Sequence, residues 1–193
     1  MDYQATKAFA FDKLRAELPR TLYYHGFHHT MDVLNVGAEL CAMLHISAYE
    51  TMLLKTAVLF HDIGFTVSGI EHERIGCDIA RGHLPSFGYT AVEIEAICGM
   101  IMATKIPQSP QNLLEQIICD ADLDYLGRTD FYDIAHTLFE ELKAQQIVGT
   151  EAEWDAIQIR FLQNHEYQTP VNRERRTPQK LVYLQELRQK YAR

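Results

Sequence analysis

Long apolar runs are missing from this chain of 193 residues. None approaches the roughly 18 residues that a membrane-spanning helix needs, so no membrane partner is expected. The opening Met1-Asp2-Tyr3-Gln4 lacks a basic stretch followed by an apolar one, and no secretory leader is expected. Positive charge is in short supply: 18 Lys and Arg stand against 26 Asp and Glu, a formal charge of −8. That balance argues against a nucleic-acid partner, because general affinity for a phosphate backbone rests on basic residues. The cysteines are only four, Cys41, Cys77, Cys98 and Cys119, widely spaced and mostly in apolar surroundings. They form neither a zinc knuckle nor a disulfide frame, and read as buried free thiols in a reducing, cytoplasmic compartment. No repeat, low-complexity tract, confident strand pair or Gly-rich phosphate cradle is visible.

What is present is helical periodicity in a chain long enough for one well-buried core, residues 1–193 as a single domain. Hydrophobic residues at 47% and charged ones at 23% suit an ordinary soluble globule. Helices are expected over residues 2–18 (ended by Pro19), 26–44, 48–61, 71–84 (closed by Pro85) and 90–103. Ser47 with Glu50, and Thr90 with Glu93, are capping boxes at two of the starts. A proline-marked loop from Lys105 to Pro110 precedes a helix-compatible run holding Asp122. Further helices are expected over 130–148, from Thr150 or Glu151 to His165, and over 179–193 with Pro178 in the first turn. The fold class is therefore all-α, a compact helical bundle.

The stretch Lys55 to Gly64, K-T-A-V-L-F-H-D-I-G, ends a buried run on His61 and Asp62. Polar groups placed there cost several kcal/mol unless something uses them, and imidazole with carboxylate suits a divalent metal. Side chains adjacent on one helix point about 100° apart, so the pair alone is a weak signal. Upstream, Tyr24-His25-Gly26-Phe27-His28-His29-Thr30-Met31-Asp32 sets His25 four residues from His29 and His28 four from Asp32, one face each if helical. Downstream, Asp120, Asp122 and Asp124 crowd a short apolar run and raise one another's pKa unless a cation compensates. The residues alone leave two readings: a metal site, or polar side chains at the edge of a core.

The order H … HD … D, opened by Y-H-x-x-x-H, resembles the HD-domain superfamily of metal-dependent phosphohydrolases over about residues 20–130. On that resemblance the ligands of a divalent metal are His29, His61, Asp62 and Asp122. His25 matches the histidine with which the phosphodiesterase branch protonates its leaving group, and Asp62 can also accept the proton of the attacking water. A histidine near His72 contributes to catalysis or to a second metal in many relatives. Relatives holding two metals usually place another histidine where this chain has Thr104-Lys105, so one ion (Mn, Fe, Co, Ni or Zn) is expected and a second is doubtful. The resemblance also implies an HD-like core with additional N- and C-terminal helices.

The implied activity is hydrolysis of a phosphomonoester or phosphodiester, the substrate being a nucleotide or a small phosphorylated metabolite. Guanosine-polyphosphate hydrolysis is disfavoured, since no acidic pair follows the HD motif in Ile63-Gly64-Phe65-Thr66-Val67. Lys105 could meet a substrate phosphate as a point charge, or be solvated in its loop. Residues 173–193 carry a local charge of +5, so Arg176 and Lys180 either lie on a solvated final helix or fold back to the phosphate. Asp32 could orient a ligand histidine or lie on the surface. Asp120 and Asp124 are expected to face away from the metal, pairing with Arg128. His83 is read as a helix-end residue, and His165 as a candidate for the pocket mouth. Two other readings stay open: a nucleotide-sensing module without turnover, and a di-iron oxygenase of the HD type. So does a homo-oligomer.

Overall fold

The computed structural model describes residues 1–190. Among them every regular element is helical. Nine α-helices run Tyr3–Glu17 (α1), Phe27–Met43 (α2), Ala48–His61 (α3), His72–His83 (α4), Ala91–Ala103 (α5), Leu113–Asp122 (α6), Phe131–Ala144 (α7), Glu151–Asn164 (α8) and Pro170–Lys190 (α9). Three single 3-10 turns, Ile63–Thr66, Leu84–Phe87 and Asp124–Gly127, join them.

The starts obey the capping chemistry of the sequence. Ser47 and Glu50, Thr90 and Glu93, and Thr150 and Glu153 form complete capping boxes on α3, α5 and α8, each satisfying donors that a bare helix end would leave open. α7 is shorter than expected. It stops at Ala144, and Gln146 takes a left-handed backbone (φ 60°) before Gly149 is reached.

The last helix is the clear departure. It begins at Pro170, not at Pro178, which lies inside it. The Thr169 hydroxyl accepts from the Asn172 amide, and the buried Asp120 carboxylate takes the amides of Gln168 and Thr169 and the Thr169 hydroxyl. Those bonds fix the helix start two turns early, and Pro170 sits where a missing N–H costs nothing. Arg193, the expected end, lies outside the described residues.

Apolar side chains gather in two clusters. One is built by α1–α6 around Leu40, Leu54, Phe60, Ile97 and Ile101. The other joins Tyr24 and the turn at Leu123–Leu126 to α7, α8 and α9 through Phe131, Trp154, Leu162 and Tyr183. All four cysteines are buried free thiols. The ligand-type residues lie where these clusters meet: α3 and α6 end there, and α2 begins there.

Candidate metal centre and its cavity

His61 is the final residue of α3, and Asp62 is its C-cap (φ −106°, ψ 0°). The α-helix ends at that point and the 3-10 turn Ile63–Thr66 follows, and the two side chains approach one another. Asp62 Oδ2 lies 3.2 Å from His61 Nε2. His29, in the first turn of α2, places Nε2 3.4 Å from His61 Nε2 and 3.5 Å from Asp62 Oδ2. Asp122, the last residue of α6, brings Oδ1 to 3.0 Å from His29 Nε2 and 3.6 Å from His61 Nε2. All four side chains are largely withdrawn from water, from 1% exposed for His61 to 15% for Asp122.

The donor set fits a divalent ion. Ligand atoms around an ion with bonds of about 2.1 Å stand roughly 3–4 Å apart. His29, His61 and Asp122 form the one such cluster of three among the described residues, with donor atoms all within 4.8 Å of one another. His61 Nδ1 donates to the Val58 carbonyl at 2.8 Å, so its Nε2 offers a lone pair toward two carboxylates. Asp62 Oδ2 is buried with no hydrogen-bond partner. Lone pairs facing one another repel unless a cation lies between them. The C-terminal ends of α3 and α6 add the negative ends of two helix dipoles.

The charges show the same demand. Burial alone would lower the His61 pKa, but the neighbouring charges of Asp62 and Asp122 hold it well above its usual value. Burial would raise both carboxylates. The charge of the nearby His61 ring outweighs it at Asp62, as the His29 hydrogen bond and the His61 ring do at Asp122, and both stay far below the carboxylate range.

Beside this centre stand His25 and His72. Gly64 makes the second placement possible: a Cβ there would run into the His72 carbonyl, so only glycine lets α4 start against the turn after Asp62. Its backbone is not left-handed, so close approach, and not turn geometry, is what requires it. Glu71 just before α4 does take the left-handed region (φ 54°), a strained conformation for a residue with a side chain. His72 Nδ1 donates to the Gly69 carbonyl at 3.3 Å, and Nε2 lies 3.6 Å from Asp62 Oδ1 and 3.4 Å from Glu73 Oε1. The Phe65 ring stacks on both His25 (4.5 Å) and His72 (4.1 Å).

Glu141 on α7 was not legible as a site residue. It is 1% exposed, and its Oε2 accepts the backbone amides of Tyr24 and His25 at 2.8 and 3.0 Å. Its Oε1 is 2.5 Å from His25 Nδ1. Burial lowers the His25 pKa, but the Glu141 bond and the Asp62 charge more than restore it, so it rises. The signal was in α7 itself, where Glu141 falls on the apolar face with Leu138 and Leu142.

Other expectations resolve into structural pairs. Asp32 accepts two bonds from Arg128 at 2.8 and 2.9 Å and does not orient a histidine. Asp124 faces away from the metal site, but its close partner is Arg176 at 2.8 Å, with Arg128 at 3.9 Å. Arg176 is therefore committed to Asp124, and Lys180, 4% exposed, donates to the His165 carbonyl. Neither lines the cavity described below. Lys105 is exposed between Thr104 and Ile106, which do line it. Thr104 is buried and donates to the Ile101 carbonyl at 2.8 Å, adding no ligand. The His83 ring packs on Phe9. His165 borders a neighbouring depression beside Pro107, with both ring nitrogens buried and unpartnered.

Asp62, Asp122, His25, His72 and Glu73 all open into one cavity of about 440 Å³. The motif order, the converging donors and the helical frame now stand together, and a family model described as HD domain matches residues 26–124, just over half of the chain. The chain belongs to the HD-domain family. None of the curated proteins matches it. Three solved structures share its fold over nearly the whole length. A predicted HD superfamily hydrolase from an uncultured Thermotogales bacterium is 18% identical, with a TM-score of 0.61, covering 97% of this chain and 90% of the other. A Lactobacillus plantarum protein is 16% identical, with a TM-score of 0.64 and coverage of 98% and 96%. Bacillus subtilis YpgQ, solved in complex with ADP, is 16% identical, with a TM-score of 0.63 and coverage of 98% of both. At these identities the likeness is one of fold, and it extends through α7–α9, beyond the family match.

Proposed function

We propose that this HD-domain protein is a metal-dependent phosphoric ester hydrolase. The observation that carries the reading is the convergence of ligand atoms on His29, His61, Asp62 and Asp122, with the two carboxylates opening into a cavity shared with His25 and His72. The two histidines and two carboxylates would hold one divalent transition ion, Mn, Fe, Co, Ni or Zn. Such an ion, when bound, supplies a water of lowered pKa and polarises the phosphoryl group.

The chain's own groups account for the protons. Asp62, with one oxygen free of hydrogen bonds, accepts the proton released as a water oxygen bonds to phosphorus. His25 holds Nδ1–H on Glu141 and presents Nε2–H to the leaving oxygen, to which it passes that proton as the phosphorus–oxygen bond breaks. His72, set by Gly69 and near Asp62 Oδ1, orients Asp62 and faces the phosphoryl oxygens. Lys105, exposed between the lining residues Thr104 and Ile106, would meet the phosphate as a point charge. The substrate is a small phosphorylated metabolite or a nucleotide. The solved complex of the structural relative YpgQ with ADP supports the second, but only as a likeness of fold.

Metal content of purified wild type and His61→Ala, with phosphate release from a panel of phosphate esters plus Mn²⁺, tests the reading. About one ion per chain, lost in the variant, with turnover only when loaded, is expected for the four-ligand site proposed. Failure to bind any ion under any loading condition would sink it. Tight nucleotide binding without turnover would favour a sensing module. The oxygenase alternative needs a further ligand, which Thr104 does not supply.

A further inference from the structure

The cavity has two unlike ends. At one stand the donor atoms, with His25, His72 and Glu73. The remainder is walled mainly by apolar side chains, among them Leu126, Phe131, Leu138, Leu142, Trp154 and Phe161. No lysine or arginine lines it. Five of those six side chains come from α7 and α8, and all six follow the stretch matched to the family, so most of the chamber lies outside the HD frame.

Few polar side chains interrupt the apolar wall: the tyrosines Tyr24 and Tyr125, Thr104, whose hydroxyl is taken by the Ile101 carbonyl, and Gln158 on α8. Gln158 is 7% exposed, donates through Nε2 to Asp155 Oδ1 at 3.2 Å, and keeps Oε1 buried without a hydrogen-bond partner. Such an acceptor is costly until a donor reaches it. The available space, about 440 Å³, matches about fifteen water molecules at roughly 30 Å³ each, within the range of pockets that enclose a small organic ligand.

These observations select among phosphate esters. A polyphosphate chain brings several negative charges, and the walls offer no side-chain cation beyond the histidines to meet them. A sugar brings several hydroxyls, and each one that apolar walls leave unpaired carries a desolvation cost. An apolar ring leaves nothing unpaired. Resting on the hydrolase reading above, we infer that the substrate is a single-phosphate ester of an apolar, ring-bearing alcohol or phenol, with one hydrogen-bond donor for Gln158. The phosphate faces the metal ligands and the ring fills the chamber between α7 and α8.

Trp154 is the only tryptophan and lines the chamber, so its emission reports occupancy independently of turnover. The Mn²⁺-loaded full chain is titrated with 4-hydroxyphenyl phosphate, ribose 5-phosphate, ADP and inorganic phosphate, following Trp154 fluorescence and binding heat. The aryl ester is expected to bind at least tenfold tighter than the others and to shift Trp154 emission. Leu138→Phe, which fills the chamber, and Gln158→Leu should each weaken it several-fold while leaving inorganic phosphate unchanged. Equal or tighter binding of ribose 5-phosphate or ADP, or faster turnover of either, overturns the inference and leaves the hydrolase reading standing. That comparison in wild type decides even if a variant fails to fold. Aryl ester and hydroquinone binding in the chamber with no phosphate released under any loading would instead overturn the hydrolase reading and uphold the chamber's ligand class.

Discussion

Replacing Glu141 by glutamine should separate what the HD motif does from what the later helices contribute. The carboxylate accepts three hydrogen bonds, from two backbone amides and from His25. Glutamine keeps an oxygen for the amides but turns an NH₂ toward His25 Nδ1, where Nδ1–H now points. The ring must then take the tautomer with a bare Nδ1, and a neutral imidazole is a poor proton donor. Hydrogen bonds to a charged group are worth about 1.5–3 kcal/mol against about 0.5–1.5 for neutral ones, so Glu141→Gln should cost about 1–2 kcal/mol of stability. Its pH dependence follows from the two shifts. The Glu141 pKa is lowered, because the His25 bond and charge and the two amides outweigh burial, so its contribution is present above the ordinary glutamate value and fades as pH falls through the lowered one. The His25 pKa is raised, so its contribution is full below the ordinary histidine value and fades as pH rises through the raised one. The difference between wild type and variant in urea midpoint should therefore peak between the ordinary values, at about pH 4.5–6.5. Loss of general-acid catalysis should lower kcat by about 10²–10⁴-fold, and the alkaline limb of the rate profile should move to lower pH. A variant whose rate profile superimposes on wild type would refute the positioning role of Glu141, even if stability fell as expected.

Other outcomes follow from the same geometry. Gly64→Ala should lower the urea midpoint by the equivalent of about 1–3 kcal/mol, an overpacking cost, and weaken metal retention in dialysis, because the new Cβ must push the His72 backbone from the centre. Protons and metal compete for the same donors, and the His61 pKa is raised, so metal affinity measured by calorimetry should fall steadily as pH drops from 8 to 5. Chelation of the loaded protein should lower Tm by an amount that grows with the free metal concentration used in the loaded reference. Asp120→Ala strips three hydrogen bonds from Gln168 and Thr169. It should cost about 2–4 kcal/mol and show as faster amide exchange confined first to the start of α9, with the metal ligands retained.

How much of this was visible in the sequence depends on whether a feature is local. The helices and their capping boxes were, because periodicity and S/T-x-x-E spacing act within a few residues. The order of His29, His61, Asp62 and Asp122 was visible too, but the residues alone left their convergence open, and only the family resemblance implied it, because it joins the ends of three helices distant in sequence. Glu141 pairs with His25 from 116 residues away, and only its position on an apolar face betrayed it. Glu73 looked like an ordinary first-turn acid, yet it is 7% exposed and lines the cavity. The start of α9 was misplaced because Thr169-Pro170 and Pro178 carry the same local signal. The choice between them is made by Asp120, a tertiary partner. Arg176 and Lys180 looked available because charge in a sequence has no visible partner. In the fold, Asp124 and the His165 carbonyl claim them.

The division of labour within the chain follows from where each part sits. The donor atoms ride on the ends of α2, α3 and α6, inside the stretch that defines the family, and the packing of these three helices on one another holds them in place. The partner of His25 and most of the chamber ride on α7 and α8, outside that stretch. A substitution on α7 or α8 can therefore reshape the chamber or retune His25 without touching a metal ligand. A substitution at Gly64 or in the H … HD … D set strikes the centre itself. On the proposed reading, the same frame keeps one hydrolytic centre while its later helices change what is brought to it, and Glu141, hydrogen-bonded to His25, is the residue that would link those helices to the proton transfer.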